Sequence, residues 1–288
     1  NFKVPGFDST KSRVYNRIEA DFDGDGTPDY ALFDPNTDAW FVIPSSDPAH
    51  PVHQFWGENG VGDIPVPANY RGTGKADYAV FASATGVWWI ATNPSDGSTW
   101  LNNPLDPSGD RINVKFGATD GVDIPVPGDY TGDGRADLAV WRPQLAVWYV
   151  LDVTSIGTVA NIQPTASKQW GLPGDIPVPG DFDGDGTTDY AVFRPGLAVW
   201  YVLPTGSPST PIMQQWGLPI GDQPVVGDFN ADGTSDFIIW RPAMGMYFAR
   251  SPSGASSTMA IGVAGSAVLL NNPPLTPSLE GLNFGFFF

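Results

Sequence analysis

The sequence predicts an all-β fold, a five-bladed β-propeller of four-stranded antiparallel blades with an extra arm at each end. Three observations predict it. The first is an acidic nine-residue stretch that recurs five times: DFDGDGTPD (21–29), NYRGTGKAD (69–77), DYTGDGRAD (129–137), DFDGDGTTD (181–189) and DFNADGTSD (228–236). The starts lie 48, 60, 52 and 47 residues apart, a period typical of propellers and solenoids. The second is the order of apolar runs after each stretch. YALF, YAVF, LAVW, YAVF or FIIW is followed by WFVI, VWWI, VWYV, VWYV or MYFA, and then by FWG, KFG, QWG, QWG or AIG. Short runs rich in Val, Ile, Tyr, Phe and Trp between Gly, Pro and Asp turns read as strands, and four of them per unit make a blade. The third is composition. With 34 Gly and 29 Pro, and with Glu19, Glu58 and Glu280 as the only glutamates, the chain favours turns over helices.

The elements follow in order. Residues 1–14 precede the first copy and form an N-terminal arm. The repeat fills residues 15–265, and GDIPVP or a relative of it leads into each new copy. Both faces of each strand are apolar, as expected when every sheet is sandwiched between two others. No segment outside the five copies is long enough for a further blade. Residues 266–288 form an apolar tail ending in Phe284, Phe286, Phe287 and Phe288.

Charge and composition exclude several classes. A net charge of −17, with 14 scattered Lys and Arg, disfavours a nucleic-acid partner. No apolar run approaches the ~20 residues of a transmembrane helix. Without cysteine there are no disulfides and no thiol chemistry. A start at Asn1 fits a processed chain, so an extracellular or cell-surface location is expected.

So much aspartate in nine residues repels itself unless a cation sits within. Oxygen ligands at alternate positions of a tight loop suit Ca2+. The pattern begins like an EF-hand loop, but Leu32 and Val192 stand where a bidentate Glu is needed, and strands flank the loop. An aspartate recurs instead at the ninth position, so positions 1, 3, 5 and 9 offer side chains and position 7 a carbonyl. DxDGDGxxD in ~50-residue copies resembles the FG-GAP or VCBS repeats of integrin-type propellers, fungal propeller lectins and bacterial exported proteins. That resemblance covers residues 15–265. It implies a cation held by Asp21, Asp23, Asp25, the Thr27 carbonyl and Asp29 in the first loop. In the fourth loop the ligands are Asp181, Asp183, Asp185, the Thr187 carbonyl and Asp189. The third loop offers Asp129, Thr131, Asp133, the Arg135 carbonyl and Asp137, and the fifth Asp228, Asn230, Asp232, the Thr234 carbonyl and Asp236. In the second loop, Asn69 to Asp77, three aspartates are replaced by Asn69, Arg71 and Thr73. Four calcium ions and one vacant loop, with Arg71 supplying the cation, are expected.

The residues point away from an enzyme: no GxSxG occurs, and the two histidines, His50 and His53, lie in a Pro-rich loop. The once-per-blade aromatics Trp40, Trp88, Trp148, Trp200 and Tyr247 read as core, as do Trp56, Trp170 and Trp216. Arg142, Arg194 and Arg241 are expected to bridge blades, the alternative being that they read a ligand. At the tips of the second-to-third strand turns, Leu145, Leu197 and Met244 replace polar residues and suggest either a contact patch or tips packed on the neighbouring blade. The function that results is a calcium-stapled extracellular building block, structural or adhesive, associating with itself or with another extracellular protein through the tips and the phenylalanine tail. The alternative, implied by the fungal relatives, is a lectin binding glycans between blades, with Trp100 in the insertion 95–111 as the aromatic to test.

Overall fold

The computed structural model describes residues 18–34, 37–57, 63–91, 111–155, 163–230, 232–261 and 267–270. They form five antiparallel sheets in chain order, the five blades of a propeller. Blade one is β1 (Ile18–Ala20), β2 (Asp29–Asp34), β3 (Ala39–Ile43) and β4 (Val52–Phe55). Blade two is β5 (Asp63–Pro65), β6 (Tyr78–Ala82), β7 (Val87–Ala91) and β8 (Arg111–Lys115). Blade three is β9 (Ile124–Pro125), β10 (Leu138–Arg142), β11 (Val147–Leu151) and β12 (Ala166–Gln169). Blade four is β13 (Ile176–Pro177), β14 (Tyr190–Arg194), β15 (Val199–Leu203) and β16 (Ile212–Gln215). Blade five is β17 (Gln223–Gly227), β18 (Asp236–Arg241), β19 (Met246–Arg250) and β20 (Ser256–Ile261), and it carries a fifth strand, β21 (Ala267–Leu270). The last sheet therefore runs past residue 265 into the stretch read from sequence as tail.

Strands pair only with their sequence neighbours, so each blade is an up-and-down meander. Register is kept from blade to blade. Trp40 faces Phe33, Trp88 faces Phe81, Trp148 faces Trp141 and Trp200 faces Phe193 across their hairpins. Among the described residues there is no α-helix, only one 3-10 turn at Val153–Ser155.

The core lies between the sheets. Four apolar clusters each span two consecutive blades, for example Tyr70, Phe81, Trp88 and Ile90 of blade two against Leu138, Val140 and Leu151 of blade three. That explains strands apolar on both faces: all five residues of β6 are buried. Trp40, Trp88, Trp148 and Trp200 are fully buried, and truncating any one of them to Ala should cost about 3–5 kcal/mol. Tyr247, their counterpart in blade five, is only half-buried.

Two kinds of hydrogen bond tie blade to blade. The eighth residue of each of loops two to five donates its N–H to the first-residue carbonyl of the preceding loop. Ala76 donates to Asp21 (2.6 Å), Ala136 to Asn69 (2.9 Å), Thr188 to Asp129 (2.6 Å) and Ser235 to Asp181 (2.6 Å). The indoles of Trp56, Trp170 and Trp216 donate to the carbonyls of Trp89, Tyr201 and Phe248 on the third strand of the next blade. The second tryptophan set is thus both core and strap.

Candidate metal-binding loops and the opposite face

Each acidic loop joins the first and second strands of its blade, and its carboxylates are gathered by backbone amides. In loop one Asp21 accepts from the N–H groups of Gly24 (2.5 Å) and Gly26 (2.8 Å). Asp29 Oδ2 accepts from Phe22 (2.7 Å) and Asp23 (3.1 Å), and its Oδ1 from Ser45 (2.7 Å). Loop four repeats this with Asp181 on Gly184 and Gly186, and with Asp189 on Phe182 and Thr205. The glycines at positions 4 and 6 are needed because both adopt a left-handed backbone, φ 82° and 85° at Gly24 and Gly26.

In these two loops three carboxylates converge. One oxygen from each of Asp21, Asp23 and Asp29 lies within 4.8 Å of the others, and Asp181, Asp183 and Asp189 do the same. The fifth position does not join them. Asp25 is held by the Thr27 N–H (2.7 Å) and the Ser45 hydroxyl (2.8 Å), and Asp185 by the N–H (2.8 Å) and hydroxyl of Thr187. Loops three and five each have one carboxylate fewer, because Thr131 and Asn230 stand at position 3. There Thr131 Oγ1 reaches Asp137 at 3.5 Å, and Asn230 donates to Asp232 at 2.9 Å. Arg135 and Thr234, at position 7, donate their N–H groups to Asp133 and Asp232, both at 2.9 Å.

Electrostatics mark the ninth position. Burial, reinforced by neighbouring carboxylates, pushes Asp137, Asp189 and Asp236 up to about 6 from an ordinary 3.8. Asp29 is also raised, again chiefly by burial. Asp236 Oδ1 is buried with no hydrogen-bond partner. Carboxylates whose charged form is disfavoured by burial and by one another, one with an orphaned buried oxygen, fit a hard divalent cation that would compensate that charge. Ligands would come from Asp21, Asp23 and Asp29 in loop one and Asp181, Asp183 and Asp189 in loop four.

Loop two is different. Arg71 Nε donates to the fully buried Asp77 at 3.0 Å, so a guanidinium occupies the loop. Lys75 also serves its neighbour: its stem packs on Gly24, where an added Cβ would meet its Cε at 2.8 Å. Burial pushes Asp23 up, but hydrogen bonds from Ser46 and Asp25 and the charge of Lys75 bring it below its usual range.

The third-to-fourth strand turns share the loops' face, and sequence reasoning missed their part. Ser45 and Ser46 close over Asp25 and Asp23, Thr205 over Asp189, and the Ser251 hydroxyl reaches Asp232 at 3.4 Å. The signal was a Ser or Thr sixteen residues after the ninth-position aspartate in blades one and four.

The opposite face holds the tips. Leu145 (51%), Leu197 (51%) and Met244 (56%) are exposed, and the loops entering blades four and five add Leu172, Leu218 and Ile220, the last 89% exposed. Beneath them the arginines do not bridge blades as expected. Arg142, Arg194 and Arg241 each make a two-pronged pair with Asp123, Asp175 and Asp222, at the start of their own blade's first strand, at 2.7–2.8 Å. Each also lies over an aromatic ring of the third strand, Tyr149, Tyr201 or Phe248. A constant spacing of 19 residues from Asp to Arg was the readable signal. His50 pairs with Asp47 and His53 stacks on Phe41, so no shared ligand site forms from them. Trp100 and Phe284, Phe286, Phe287 and Phe288 lie outside the described residues.

No family model and no curated protein matches the chain, so the FG-GAP and VCBS resemblance rests on the loop residues. Solved structures do match. A catalytically inactive variant of virginiamycin B lyase from Staphylococcus aureus, solved with quinupristin, is similar with TM-score 0.51 and 8% identity, over 91% of this chain and 73% of that one. A streptogramin B lyase gives TM-score 0.51 and 9% identity over 91% and 72%. A lectin from Agrocybe aegerita that recognises non-reducing terminal N-acetylglucosamine gives 0.43 and 12% identity over 87% and 77%. At these identities the likeness shows the β-propeller fold alone. It does correct one expectation. Lyases are built on this fold, so missing nucleophile motifs give no ground for setting enzymes aside.

Proposed function

We propose that this propeller is an extracellular assembly module, clamped by calcium on one face and docking a protein partner, foremost a second copy of itself, on the other. Three converging carboxylates in loops one and four support a cation there, and the raised ninth-position aspartates support it in loops three and five. Without a bidentate glutamate such loops suit the weaker end of calcium affinity, where extracellular modules bind at ~10⁻⁴–10⁻³ M. Four ions would bring the net charge from −17 to −9, easing self-repulsion as blades close up.

The observation that carries the docking role is the repetition of exposed apolar side chains in the turns of one face, Leu145, Leu172, Leu197, Leu218, Ile220 and Met244, all at least half exposed. Large apolar side chains exposed together on one face mark a contact site. Light scattering on size-fractionated protein in millimolar calcium tests it. Oligomers that dissociate on Ile220→Asp with the fold retained support the reading, and a monomer at all concentrations sinks it.

A further inference from the structure

Four junctions between consecutive blades share one amide bond, but the fifth, which closes the ring from blade five to blade one, cannot make it. At every internal junction an eighth-position N–H binds the carbonyl of the preceding loop. In loop one the eighth residue is Pro28, which has no N–H to give to Asp228. The indole strap is missing there too. In the register after the fourth strand, where blades one, three and four have Trp56, Trp170 and Trp216, blade five has Ile261. Phe116 also lacks an indole at the junction of blades two and three, but that junction keeps the Ala136 bond. At position 4, where the other loops have a glycine beneath the neighbour's seventh side chain, the sequence of loop five has Ala231.

Packing agrees with the bonding. Val80, Val140, Val192 and Ile239 are at most 1% exposed, whereas Leu32 at the same position of blade one is only half-buried. Tyr30 is 37% exposed where Tyr78, Leu138, Tyr190 and Phe237 are buried. On blade five, Phe229 and Trp240 are half-buried where Phe182 and Phe193 of blade four are closed off. Each internal junction has its apolar cluster, and among the described residues none joins blades five and one.

We propose that the junction of blades five and one is the joint at which the ring opens, while the four internal junctions stay shut. A propeller with equal junctions would breathe at any of them. Here Pro28 and Ile261 withhold both straps from one, so separation there breaks neither of the two bonds that hold the other junctions. Opening uncovers the sheet face bearing Leu32 on one side and that bearing Phe229 and Trp240 on the other.

The chain has no cysteine, so single introduced thiols report each junction cleanly. Thiol-labelling rates of Leu32→Cys and Val80→Cys would be compared in the full chain at saturating calcium. Leu32→Cys should react at least ~10-fold faster, and adding Pro28→Ala, which supplies the missing donor, should slow it about fivefold, the worth of one net hydrogen bond. Placing Ala76→Pro in the Val80→Cys protein should speed its labelling by removing the strap between blades one and two. Equal rates at the two sites, or a Leu32→Cys rate that ignores Pro28→Ala, would overturn the proposal. The Pro28→Ala comparison stands even if Ala76→Pro fails to fold.

Discussion

Arg71 Nε lies 3.0 Å from Asp77 Oδ1, in the one acidic loop that has lost three of its aspartates. Asp77 is fully buried while Arg71 keeps about a third of its side chain in solvent. The pair shows what the other loops need: a positive charge against a ninth-position carboxylate that burial has cut off from water. Removing the guanidinium leaves that carboxylate buried. Arg71→Ala should destabilise by about 2–3 kcal/mol, less than the 3–5 of a wholly buried pair because the arginine is partly solvated. Thermal unfolding would show the loss, and it should be the same with calcium or chelator.

Calcium removal is the direct test of the remaining loops. At ~100 times Kd each site adds about 2.7 kcal/mol, and several sites together should move Tm by well over ~5 °C in a chain of this size. A chelator scan that leaves Tm unchanged would refute the metal reading.

Loops one and four should bind most tightly, because only they gather three carboxylates among the described residues. Asp23→Asn and Asp183→Asn should each weaken one site in a calorimetric titration. Thr131→Asp should strengthen loop three by restoring the charge at position 3.

Protonation should reverse the order of stabilities. Asp137, Asp189 and Asp236 hold protons more tightly folded (about 6) than their ordinary 3.8. Their contribution without metal is therefore full below pH ~4 and is lost as pH rises through about 6. Metal-free protein should melt higher at pH 5 than at pH 7.5. Calcium, which needs the deprotonated carboxylates, should raise Tm more at pH 7.5 than at pH 5.

Arg194 joins two parts of blade four, pairing with nearly buried Asp175 and lying 4.4 Å over the Tyr201 ring. Arg194→Lys keeps the charge but loses the two-pronged geometry and the flat stacking surface, so a loss of about 1–2 kcal/mol in denaturant unfolding is expected. Arg194→Ala should cost more, about 2–4 kcal/mol, by stranding the carboxylate.

Much of this was legible in the chain. Five copies of one pattern fix five sheets, because a run such as YAVFRPGLAVWYVL contains two strands and the turn between them within fourteen residues. The buried tryptophans, the exposed leucine tips and the Arg71 substitution were readable for the same reason: each depends on a position within one repeat. What was not readable depends on residues far apart. Asp25 and Asp185 follow the alternating pattern, yet hydroxyls and turn amides draw them out of the carboxylate group. The arginines are equally spaced, but spacing did not say that their partners stand 19 residues back in the same sheet.

By itself, then, the sequence determined the blade and the number of blades, since strand periodicity and turn residues act over a few neighbours. The tertiary structure alone decided which carboxylates meet, where the arginines anchor and how unlike the others the last junction is. Those outcomes turn on surfaces brought together only when sheets pack. A proline at one loop position acquires its meaning from the bond that Ala76, Ala136, Thr188 and Ser235 make at the same position in the other loops.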